Sequence, residues 1–84
     1  MVGQIVCSKS GRDKGYFMVV VSEENGIYFV CDGKERPLER PKKKNAKHLV
    51  FTEIILCNND YITNRQLRKA LAVFRDSAKQ KEEL

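Results

Sequence analysis

Two stretches carry the side chains able to do chemistry. The first is "SKSGRDKG", residues 8–15, where Lys9, Arg12, Asp13 and Lys14 are set among two glycines. The second is "RPKKKNAKH", residues 40–48, with Arg40, three consecutive lysines at 42–44, Asn45, Lys47 and His48. Cations beside glycine are suited to phosphate recognition. Glycine lets a backbone approach a sugar-phosphate chain, and Arg12 and Lys14 then supply charged donors. Asp13 repels phosphate, so its expected role is to brace the loop by accepting backbone N–H groups or pairing with a nearby cation. Lys42, Lys43 and Lys44 read as sequence-tolerant point charges, favouring backbone recognition over a base code. Asn45 is able to read a base edge or a ribose hydroxyl. His48 is able to stack or donate, although its plainer reading is an ordinary strand-start residue.

Catalytic constellations are missing from the pattern. There is no close Ser-His or Cys-His pair and no G-x-x-x-x-G-K-[ST] loop, so the chain is not expected to be an enzyme. Cys7, Cys31 and Cys57 are widely spaced beside a single histidine, which predicts reduced, mostly buried thiols rather than a metal site. No cofactor and no small-molecule substrate is implied.

The charge distribution sharpens the reading. Of 16 Lys and Arg and 11 Asp and Glu, residues 34–48 hold Lys34, Arg36, Arg40, Lys42, Lys43, Lys44 and Lys47 against only Glu35 and Glu39. The remainder is therefore neutral, and the net charge of +5 resides in one segment. Such segregation suits a polyanion-binding surface. No apolar run approaches the ~20 residues of a membrane helix, and no secretory leader is legible at the N-terminus. The expected location is the cytoplasm, with no membrane partner.

These residues must be held by a small scaffold, because 84 residues make one domain with one modest core. "VGQIVCS" (2–8), "YFMVVVS" (16–22) and "IYFVC" (27–31) have strand composition. Asn25-Gly26 predicts a tight hairpin between the last two. Asp32-Gly33 is a second such signal and predicts a short strand near 34–38, with Pro37 at an edge or end. Residues 39–47 show no periodicity and read as a basic loop. "HLVFTEIIL" (48–56) returns to strand composition. About five short strands leave a small barrel or a sandwich open. On this strand count the loops 9–15 and 39–47 fall at opposite ends of the meander.

After a connector at 57–62 the period changes. Thr63 and Gln66 match a capping box, and Leu67, Ala70, Leu71, Phe74 and Ala78 form an apolar stripe on a helix over about 64–81. Arg68, Lys69, Arg75, Lys79 and Lys81 take its outer face, and the stripe is expected to cover an open end or face of the strands. The aromatics read chiefly as core, with Tyr16 and Tyr28 the best candidates for exposed rings.

The stretch "GQIVCSKSGRDKGYFMVVV", 3–21, resembles a KOW motif, a strand–loop–strand unit of ribosomal proteins and transcription elongation factors. "DGKERPLERPKKKNAKHL", 32–49, is similar to the corresponding part of the KOW-type large-subunit ribosomal proteins, fourteen-e type, and of stand-alone bacterial KOW proteins. The resemblance covers about residues 3–52. It implies an SH3-like barrel over residues 1–56, to which the residue pattern adds a connector and a C-terminal α-helix over 57–84, packed on the barrel in a mainly β single domain of about five strands. It also implies RNA binding, with ribosomal RNA as the expected partner, and association with the ribosome and translation. Gly15 matches the motif's loop glycine, Arg12 and Lys14 lie in the RNA-facing loop, and residues 42–48 match the second basic segment. The RNA-facing set expected from both arguments is Lys9, Arg12, Lys14, Gly15, Arg36, Arg40, Lys42, Lys43, Lys44, Asn45, Lys47 and His48. After about residue 56 the chain departs from the ribosomal members, which carry longer basic extensions. The alternative function is a protein-interaction module of a transcription or ribosome-linked complex, using the helix stripe if the strands leave it free.

Overall fold

The computed structural model describes residues 1–82, with side chains to residue 76. Five strands form one antiparallel sheet: β1 (Gln4–Ser8), β2 (Phe17–Glu24), β3 (Ile27–Cys31), β4 (Lys42–Asn45) and β5 (Leu49–Ile55). One helix, α1 (Asn64–Glu82), follows. The strand order is β4-β3-β2-β1-β5, so β4 and β5 are the edges. A single 3-10 turn at Ala46–His48 joins them, and no ladder pairs them, so the sheet is not closed.

Strand alternation explains how both faces come to be apolar. Ile5, Val19 and Cys31 point to one face and Val6, Met18, Val20 and Val30 to the other, all completely buried. The first face is covered by α1 through Leu67 and Leu71, and Phe74 packs edge-on against Phe17 with ring centroids 5.0 Å apart. Full burial of each leucine contributes about 1.5–3 kcal/mol relative to exposure. The stripe therefore covers a sheet face; Ala78, Lys79 and Lys81 lie outside the described side chains.

The second face is covered by the sheet itself. Tyr28 on β3 and Phe51 on β5 meet with centroids 5.1 Å apart. Two strands intervene, and at about 4.8 Å per strand a flat sheet would hold β3 and β5 about 14 Å apart. The sheet is thus strongly curled. Register shifts between Val20 and Ser22 on β2 and between Gln4 and Val6 on β1 supply the bends.

Turn and cap chemistry follows the sequence closely. Asn25 (φ 51°) and Gly26 (φ 82°) are both left-handed, as the tight hairpin between β2 and β3 requires. At the head of α1, Thr63 N–H donates to Gln66 Oε1 and Gln66 N–H donates to Thr63 Oγ1, both at 3.1 Å. This is the reciprocal capping box read from the sequence.

Two expectations are corrected. No strand forms at 34–38, because Asp32 folds the segment back on itself: its Oδ1 accepts from Lys34 N–H at 2.8 Å and Arg36 N–H at 2.9 Å. A turn so capped spends the Lys34 and Arg36 amides that a ladder would need. Conversely, 39–47 is not all loop, since Lys42–Asn45 pairs with Val30–Ile27 as β4. Its lysines hid it, because charged edge strands carry no apolar alternation. The change of strand also removes the separation of the two basic stretches. Lys42 lies opposite Val30, at the end of the sheet where β1 leads into the loop of residues 9–16.

Candidate nucleic-acid interface

The loop between β1 and β2 is shaped by Gly11 (φ 85°) and Gly15 (φ 87°), whose left-handed backbones let it reverse twice. Ser8 and Tyr16 close its base, Ser8 N–H donating to Tyr16 O at 3.0 Å and Gly15 N–H to Ser8 O at 2.8 Å. Lys9 N–H donates to His48 O at 2.8 Å, which ties the loop to the start of β5.

This conformation turns Asp13 inward, where it is buried at 7% exposure. The cations that meet it come from β4 rather than from its neighbours Arg12 and Lys14. Lys44 Nζ donates to Asp13 Oδ1 at 3.0 Å, to Ser8 Oγ at 2.9 Å and to the Ser10 carbonyl at 2.8 Å. Ser8 Oγ in turn donates to Asp13 Oδ1 at 2.8 Å. Asp13 Oδ2 accepts no hydrogen bond, and its counter-charge is the Lys42 ammonium at 3.1 Å. Burial alone would raise the Asp13 carboxyl. The hydrogen bonds from Lys44 and Ser8, with the Lys42 ammonium beside it, overcome burial and hold it down at about 2.

Lys44 is likewise buried at 7% exposure, and its three donors are all used internally. This corrects the reading of residues 42–44 as three outward point charges. In a strand Lys42 and Lys44 share one face and Lys43 takes the other. Lys43 is exposed and borders a shallow groove with Glu24, Asn25, Ile27 and Phe29.

The remaining expected residues divide as follows. Arg12, Arg36 and Lys42 line one cleft of about 530 Å³, together with Asp13, Tyr16, Asp32 and Glu35, over a floor that includes Met18. Three segments remote in sequence thus converge: the β1–β2 loop, the Asp32 turn and the start of β4. Lys9, Lys14, Arg40 and Lys47 are exposed outside that cleft. Gly15 is exposed, with open space where a Cβ would stand. Asn45 caps the 3-10 turn by accepting from Lys47 N–H at 3.3 Å, and His48 is half-buried.

Beside this cleft lies a second of about 360 Å³, lined by Gly15, Tyr16, Asp32, Lys34, Glu35 and Arg75. Tyr16, Asp32 and Glu35 belong to both. Lys34 and Arg75 stand outside the expected RNA-facing set: Lys34 falls in the strand expected at 34–38, and Arg75 lies on α1, far along the chain from Gly15 and Tyr16. Tyr16 carried one signal, its place at a loop–strand junction, and is 50% exposed.

The cysteines form no disulfide. Burial, with Asp32 and Glu39 nearby, pushes the Cys31 thiol up to about 11, which leaves it unreactive at neutral pH. Cys57 is exposed, against the expectation of mostly buried thiols. No described helix is long and apolar enough to cross a membrane.

No protein-family model matches the chain. A search of curated proteins finds no significant match.

Proposed function

We propose that the chain is an RNA-binding module of the KOW type that engages backbone phosphates of structured RNA, ribosomal RNA first among them, in the cytoplasm. In this reading the curled sheet, with its two edges joined by one 3-10 turn, is an SH3-like barrel. The observation that carries the reading is the placement of Arg12 and Arg36 on one cleft, beside the Lys42–Asp13 pair, in a chain whose surplus charge lies in residues 34–48. Exposed Lys9, Lys14, Arg40 and Lys47 extend the positive surface. Lys44 is not a ligand contact here; with Lys42 it holds the loop to the sheet.

Filter binding to ribosomal RNA at 50 and 200 mM salt tests the proposal. Neutralising about four phosphates gives a slope of log K against log salt near −3 to −4. Binding that is absent at the lower salt, or indifferent to salt, refutes it.

A second reading is a protein-interaction module. The helix stripe cannot serve it, since Leu67 and Leu71 are buried against the sheet. The observation in its favour is the edge strand β5, which leaves Val50, Phe51, Ile54 and Ile55 exposed beside an unpaired backbone edge. Protein copurification that survives nuclease treatment supports this reading over the first.

A further inference from the structure

The two clefts share Tyr16, Asp32 and Glu35 as their common wall. Each adds its own cations: Arg12, Arg36 and the Asp13-paired Lys42 in the larger, Lys34 and Arg75 in the smaller. Both volumes fall within the roughly 300–1,000 Å³ typical of sites for small ligands. Tyr16 is half-exposed, although it directly precedes a strand whose next residues are packed into the core. An aromatic ring standing between two cation-rimmed clefts is a platform on which bases stack.

We propose that Tyr16 divides a binding site for two consecutive unpaired nucleotides, one in each cleft. The proposal rests on the RNA reading and goes beyond it, because phosphate recognition alone needs neither an aromatic divider nor a second cleft. The bases lie toward Tyr16 and the phosphates toward the two cation sets. Asp32 and Glu35, shared by both clefts, favour that polarity, while Asp13 is already paired with Lys42 and Lys44. Asp32 Oδ1 is occupied by the Lys34 and Arg36 amides, while Glu35 is exposed and accepts from ribose hydroxyls or base amines where it would repel phosphate. A duplex cannot use such a site, since paired bases present edges rather than faces.

The experiment is an anisotropy titration with a dye-labelled octaribonucleotide of mixed sequence, as a single strand and fully paired. The full chain is compared with Tyr16→Phe, Tyr16→Ala and the double variant Lys34→Ala, Arg75→Ala. All three residues are on the surface, and a thermal melt confirms that each variant folds. Tyr16→Ala should weaken single-strand binding about tenfold and leave duplex binding unchanged, while Tyr16→Phe, which keeps the ring, stays within twofold of the parent. The double variant should flatten the single-strand salt slope by about 1.4, at ~0.7 per phosphate lost. If Tyr16→Ala binds the single strand as the parent does while RNA binding persists, the two-nucleotide site is wrong and the phosphate reading stands. If the parent binds neither RNA form at low salt, both fall together.

Discussion

The Lys44 ammonium lies 3.0 Å from Asp13 Oδ1, across 31 residues of sequence. Neither group is dispensable to the other. A buried carboxylate without its cation, or a buried ammonium without its anion, is left without compensation for lost hydration. The pair fastens the glycine-shaped loop to the edge of the sheet, and so sets where Arg12 projects. What reads as one basic segment is therefore partly scaffold and partly surface.

Removing one partner should expose this division. Lys44→Ala is expected to destabilise the fold by about 2–4 kcal/mol, somewhat softened because Lys42 still faces Asp13. Lys43→Ala, one residue away on the opposite side of the strand, should change stability by less than about 0.5 kcal/mol. Urea denaturation of both variants measures the contrast, and equal effects would argue against the register of β4.

Acid should weaken the same contact. The Asp13 carboxyl is held at about 2, below its ordinary 3.8, so the folded form binds the proton less readily than the unfolded one. A depressed carboxyl contributes stability above its unfolded value, and that contribution is lost as pH falls from about 4 towards 2. The size is about 2 kcal/mol at most, less what solvent screening at the cleft mouth removes. Stability measured across this window should show the loss, and Asp13→Asn should flatten it while lowering stability at neutral pH.

Gly33 should tolerate substitution less well than Gly26. Both have left-handed backbones, at 81° and 82°. A Cβ at Gly33 would lie 2.6 Å from the Asn64 carbonyl oxygen at the head of α1, whereas at Gly26 it meets nothing within 4 Å. Gly26→Ala is expected to cost about 1 kcal/mol in backbone strain. Gly33→Ala adds displacement of the helix, for a total above about 2 kcal/mol, or a drop in Tm of about 8 °C or more. Thermal melts of the two variants, read by circular dichroism, make the comparison.

Phosphate contact predicts its own signature. Arg12→Ala combined with Arg36→Ala should reduce the salt slope of RNA binding by about 1.8 and weaken binding for different sequences alike. Neither arginine is buried, so stability should hold within about 0.5 kcal/mol. Filter binding at several salt concentrations reports both the affinity and the slope.

Much of the frame was legible in the order of residues. Thr63 and Gln66 announced the cap of α1, Asn25-Gly26 announced the hairpin, and Leu67 and Leu71 announced the face that the helix buries. Each signal lies within a few residues of what it specifies, because helix period, strand alternation and turn conformation are local properties of a backbone. β4 was less legible. Its alternation is between one buried and one exposed lysine, which no hydropathy pattern records. The strand expected at 34–38 failed for a related reason: Asp32 satisfies the local amides itself, and Asp-Gly suits either outcome.

From the sequence alone came the surplus of positive charge and its confinement to residues 34–48, since composition does not depend on folding. Only the tertiary structure decided which of those charges face outward. Pairing β4 to β3 turned Lys44 toward Asp13 and left Lys43 outside, and the antiparallel strand order set the β1–β2 loop, the Asp32 turn and the start of β4 at one end, where Arg12, Arg36 and Lys42 line one cleft beside Tyr16. A cation's availability depends on whether an anion from elsewhere in the chain has already met it, and that meeting is made by strand register and strand order.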